Sequence, residues 1–174
     1  MKKYNTKKLI ISALFLAIGM ALPFLTLQLK EIGDSLLPMH IPTMLCGLVC
    51  GPVYGAIVGF VMPLFRSQCF GMPPLYPNSV WMSLELATYA LVIGIIYKHS
   101  KNKDTLAIIF ALAVSMLCGR IVWGISKYIL LGFNGKAFPL SAFFVGGFVD
   151  ALPGIVLQFV LIPFIINICF KNRR

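Results

Sequence analysis

Charged side chains are scarce in this sequence, at 11% of its residues. A soluble domain of ordinary composition carries about a quarter. With 59% of the residues hydrophobic, the apolar surplus is too large to hide in one aqueous core, and lipid is its natural solvent. No CxxC pair occurs among Cys46, Cys50, Cys69, Cys118 and Cys169, and four of the five lie in apolar runs. They read as small buried hydrophobes rather than as metal or redox groups. The G-x-x-x-x-G-K-[ST] phosphate loop is missing, which excludes ATP binding by that route. His40 and His99 have no metal-ligand companions at HExxH-like spacing, and no G-x-S-x-G elbow is present. No cofactor or metal is expected, and catalysis has little to stand on.

What charge there is has one dominant sign. The formal net charge is +10. The bases crowd at the two termini and in one loop, as in a membrane protein that marks its cytoplasmic side. They form no stripe interleaved with exposed aromatics, so a nucleic-acid partner is set aside. Lys2, Lys3, Lys7 and Lys8 before an apolar run also suit a signal peptide, but the uncharged stretch Leu9–Leu29 lacks a convincing cleavage site and reads as a retained span.

A spanning helix needs about 20 apolar residues to cross roughly 30 Å of hydrocarbon. That requirement predicts an all-α integral membrane protein, a single membrane domain over 1–174 with spans near 9–29, 36–50, 53–67, 79–97, 105–131 and 140–170. The long uncharged stretch Leu36–Phe65 is divided at Gly51-Pro52, because proline inside a helix removes a hydrogen bond and clashes with the preceding turn. Six spans with both termini cytoplasmic put ten of the fifteen bases inside. A single crossing over Leu36–Phe65 would move the Lys98–Lys103 cluster outside, against the positive-inside bias.

Two stripes of small residues stand out. Ala13, Ala17 and Ala21 share one face of the first helix, and Gly51, Gly55 and Gly59 share one face of the third. Such stripes let another helix backbone approach closely. The glycines suit packing inside the bundle, and the alanines suit docking of a separate membrane protein.

Ionisable groups within spans are expensive and usually face the bundle interior or a wet cavity. Trp81, Glu85 and Tyr89 fall at i, i+4 and i+8 on the outer half of the fourth helix. Met116, Arg120, Trp123 and Lys127 share a face of the fifth. Asp150 lies beside the break at Pro153-Gly154, and Asn78 ends a proline-rich loop that begins at Gly71 and is opened by Arg66. His40 stands at the outer end of the second helix. Aromatic faces, both charge signs and amide or imidazole donors suit a cavity for a small polar organic molecule. Alternatively, Arg120 and Lys127 snorkel to the interface or pair with Glu85 or Asp150 for structure alone, and Trp81 and Trp123 belong to an interfacial belt.

The six spans, the Ala13-xxx-Ala17-xxx-Ala21 stripe, and the run Leu37-Pro-Met-His-Ile-Pro-Thr-Met-Leu-Cys-Gly-Leu-Val-Cys-Gly-Pro-Val-Tyr-Gly-Ala-Ile-Val-Gly59 together resemble the substrate-binding S components of energy-coupling factor (ECF) transporters. The resemblance covers essentially the whole chain. It implies a subunit of the bacterial plasma membrane that captures a vitamin-like ligand on the outer face. It further implies docking through helix one onto a transmembrane coupling protein driven by two cytoplasmic ATPases. The Phe70-Gly-Met-Pro-Pro-Leu-Tyr-Pro loop and Leu84-Glu-Leu-Ala-Thr-Tyr89 look closest to the branch associated with pantothenate. Two other readings compete. A stand-alone secondary carrier predicts ion-coupled flux by this chain alone, although no inverted repeat is evident. A membrane enzyme would use Glu85, Asp150 or His40 as acid–base groups.

Overall fold

A computed structural model describes residues 6–25, 36–100, 103–133 and 139–169. Among the described residues the regular structure is helical throughout. Five stretches are long and apolar enough to cross a membrane: Thr6–Phe24, Pro52–Phe70, Leu75–His99, Thr105–Gly132 and Leu140–Cys169. In chain order the helices are α1 (Thr6–Leu25), α2 (His40–Cys50), α3 (Pro52–Phe70), α4 (Val80–His99), α5 (Thr105–Phe133), α6 (Leu140–Phe144) and α7 (Leu152–Cys169). The part of the first expected span beyond Leu25 lies outside the described residues.

Apolar stripes face outward. Leu117, Ile121 and Ile125 on α5, and Val156, Val160, Phe164 and Ile168 on α7, recur every four residues and are all more than half exposed. In water such faces would drive aggregation, whereas in a bilayer they meet acyl chains. The buried side instead holds Ser83, Glu85, Ser115, Arg120, Ser126 and Gln158. This is a multi-pass membrane protein with its polar groups turned inward.

The break at Gly51-Pro52 stands where the sequence puts it. Gly51 adopts φ 104, which a β-carbon would strain, and Pro52 opens α3 at a position where its missing N–H costs nothing. The second expected span requires a correction. It runs from His40 rather than Leu36, because the chain turns over Leu37–Met39, with Leu37 at φ 51. Its 11 residues measure only about 16 Å along the axis, and ten of them are buried. α2 is an internal half-length helix shielded by its neighbours.

Missing side chains make that shielding tight. A β-carbon at Gly47 would lie 2.5 Å from the Ala90 carbonyl oxygen, at Gly55 2.6 Å from Gly47 Cα, and at Gly59 2.6 Å from the Leu86 carbonyl oxygen. α2, α3 and α4 therefore touch backbone to backbone, and the Gly55/Gly59 stripe is used inside the bundle. Gly59→Ala is expected to destabilise the fold by about 1–3 kcal/mol, because backbone rather than a flexible side chain must yield. Gly132→Ala, with open space around it, is the control. Thermal unfolding of the two variants in detergent makes the comparison, and equal midpoints would refute the tight fit.

The last expected span is interrupted. α6 passes into a wide turn over Val145–Val149, and Asp150-Ala151 bend before α7 begins. The kink thus precedes Pro153-Gly154, with Pro153 accommodated in the first turn of α7.

Candidate functional site

One carboxylate oxygen joins two helices, and a third helix brings a side chain close to it. Glu85 and Tyr89 stand one turn apart on α4, so the tyrosine hydroxyl reaches back and donates to Glu85 Oε1 at 2.9 Å. From α5, Arg120 Nη1 donates to the same oxygen at 2.9 Å. From the start of α2, His40 Nε2 lies 3.8 Å from it, too far for a hydrogen bond. The His40 ring instead leans on Tyr89, with centroids 5.3 Å apart and planes at 58°. All four side chains are at least 95% buried.

Burial sets the energetics of this cluster. An ion pair removed from water recovers its desolvation cost only with good geometry and further hydrogen bonds. Glu85 has both, since an arginine and a phenol converge on one oxygen. His40 does not: among the described residues neither ring nitrogen has a hydrogen-bond partner, at 1% exposure.

An aromatic wall extends the cluster along α5. Lys127 Nζ sits 4.5 Å from the Trp123 ring and 5.4 Å from the Trp81 ring, between the two indoles. The Arg120 guanidinium lies 5.8 Å from the Trp123 ring. Cation–π attraction of this kind contributes about 0.5–2 kcal/mol, more where water is excluded. The α6 end packs over the same indole. Phe143 lies 6.0 Å from Trp123, and Gly146 and Gly147 leave room against it.

Of the residues singled out from the sequence, His40, Glu85, Tyr89, Arg120, Trp123, Lys127 and Trp81 come together. Three others do not. Arg66 is 2% exposed but donates to the Met20 backbone carbonyl and lies between the Phe24 and Phe70 rings, stapling α3 to α1. Asn78 is half-buried in the kinked segment before α4 and stays outside the network. Asp150 is exposed at the bend before α7, so Arg120 pairs with Glu85 instead.

Sequence reasoning missed Gln158. It is 1% exposed on α7, with neither amide atom hydrogen-bonded among the described residues, on a helix that packs against α2 and α5. The signal was available, since Gln158 is a polar residue in the middle of an apolar run. Attention to charge passed over a neutral amide, which also costs free energy to bury without a partner.

The alanine stripe lies on the opposite side of the molecule's packing. Ala13, Ala17 and Ala21 are all exposed, while Ser12, Phe15 and Gly19 of the same helix turn inward. Gly19 faces Met62 of α3 and Pro42 of α2.

The sequence model of the family described as "ECF transporter, substrate-specific component" matches residues 7–166. No curated protein and no solved structure matches the chain. Its members are transporter subunits rather than enzymes; they bind small-molecule substrates and work with a membrane coupling protein and ATPases. A match over nearly the whole length, on a multi-helical membrane bundle with a buried polar cluster, identifies this chain as a member of the substrate-specific component family of ECF transporters.

Proposed function

We propose that this subunit captures a carboxylated vitamin or related micronutrient, of the pantothenate type, in a chamber centred on Glu85 and Arg120. The observation that carries the reading is His40, whose two ring nitrogens are buried beside that ion pair with no hydrogen-bond partner among the described residues. A buried polar group left unpaired costs about 1–3 kcal/mol. A ligand that bonds to it recovers that energy, which is a reason for a binding protein to tolerate the cost. Gln158 adds an amide donor and acceptor in the same condition.

The chemistry of the cluster suits such a guest. Two cations and one carboxylate leave a formal excess of one positive charge among Glu85, Arg120 and Lys127, favourable for an acid. His40, Tyr89 and Gln158 suit hydroxyls and amides, and Trp81 and Trp123 supply apolar walls. In this reading the chamber faces outward, the bundle makes six crossings with α2 as an embedded one, and both termini lie with Lys98 and Lys103 in the cytoplasm. The exposed alanine face of α1 docks the coupling protein, and two ATPases drive release of the cargo inside.

Native mass spectrometry of the gently purified chain is expected to find a co-purified acid of vitamin size. Gln158→Leu should weaken its binding about tenfold, the equivalent of one good hydrogen bond, without lowering the unfolding midpoint of the ligand-free chain. The two readouts move apart only if the amide serves a ligand. A chain that carries no metabolite, and a Gln158→Leu variant with unaltered uptake, would end the proposal.

A further inference from the structure

The end of the bundle away from Glu85 holds a cavity of about 230 Å³. Along α4, Glu85 and the cavity residue Tyr97 are 12 positions apart, or about 18 Å, so the two sites are separate. Its rim carries Lys8 from α1, Lys98 from the last turn of α4, and Lys103. Its floor is formed at Gly47, Gly51 and Gly94, and among the described residues none that lines it is acidic.

We infer that this cavity holds the phosphate of an anionic lipid headgroup. Three lysines line a space the size of about eight water molecules. Lys98 lies in the last turn of α4, and Gly47, Leu48 and Val49 belong to the last turn of α2, so the lysines also offset the carbonyls of two helix C-termini around the space. Lys103 is drawn over the cavity, its Nζ 6.0 Å from the ring of Tyr97, which is itself 8% exposed. Gly51, the residue before α3, lines the cavity and has open space where a β-carbon would stand.

The surroundings favour a lipid over a free anion. Immediately after Lys8, Leu9 and Ile10 are 57% and 65% exposed on α1. Leu48, Val49 and Ile166 supply apolar lining. A phosphate seated among the lysines therefore has apolar surface beside it for acyl chains. The lysine-rich end is also the end where the bilayer's anionic headgroups attract basic side chains, by about 1 kcal/mol each.

The test titrates the full-length chain, in neutral detergent, with short-chain phosphatidylglycerol, phosphatidylcholine or inorganic phosphate, counting adducts by native mass spectrometry. Phosphatidylglycerol is expected to bind at one saturable site and to weaken with salt. Lys8→Gln, Lys98→Gln and Lys103→Gln should each reduce that affinity about fivefold, whereas Lys7→Gln, on the same helix but outside the cavity, should leave it unchanged. Equal binding of phosphatidylcholine, or no change in any of the three variants, would overturn the assignment. Competition by inorganic phosphate at equal concentration would overturn the lipid in favour of a free anion. Each single variant is exposed and polar, and its unfolding midpoint is read alongside to separate lost binding from lost fold.

Discussion

Arg120→Met is expected to abolish detectable ligand binding and to lower the stability of the chain by about 3–5 kcal/mol, the cost of leaving one member of a buried pair alone. Glu85 would keep its tyrosine but lose the cation 2.9 Å from its oxygen, at 3% exposure. The informative variant is the double one. With Glu85→Leu added to Arg120→Met, no isolated charge remains, and a well-packed apolar pair is often as stable as the ion pair it replaces. Stability should return to near the original, while binding should not. A double-mutant cycle on unfolding midpoints, with affinity measured on the same four proteins, separates the two roles. Full binding in the double variant would make the pair a strut with no part in recognition.

Ala17→Trp is expected to cut uptake by about 10- to 100-fold while ligand binding by the isolated chain stays intact. The magnitude is that of forcing bulk into a close helix contact, about 1–3 kcal/mol. Ala17 is exposed, so the fold itself does not feel the larger side chain. The comparison is uptake by cells that contain the coupling protein and ATPases against equilibrium binding to the purified subunit. Equal loss of both would mean that α1 shapes the ligand site. Loss of neither would free the alanine face of any docking role.

Local chemistry was the legible part of this fold. Proline and glycine act on their own backbone, so the joint at Gly51-Pro52 and the start of α3 could be read from two residues. Spacing by four was enough to set Glu85 beside Tyr89, because a helix does that without tertiary help. Pairing between helices was not legible in the same way. Glu85 and Asp150 were equivalent partners for Arg120 on paper, and only the bend at Asp150-Ala151, which leaves Asp150 exposed, separates them. Arg66 shows the same limit, since its acceptor is a backbone carbonyl on α1, a group that no pattern of side chains marks. The length of α2 was overestimated because an uncharged run looks alike whether it lies in lipid or inside protein.

The glycine contacts also decide which parts of the bundle are able to give way. Where backbone rests on backbone, as between α2, α3 and α4, there is no side chain to swing aside, so those three helices travel as one block. Against Trp123 the segment Leu140–Val149 is held by rings and has the small residues Gly146 and Gly147 at the contact, a junction able to slide. In the proposed capture role, the aromatic segment Leu140–Val149 is the wall of the chamber expected to move, and the α2–α4 block the wall expected to stay.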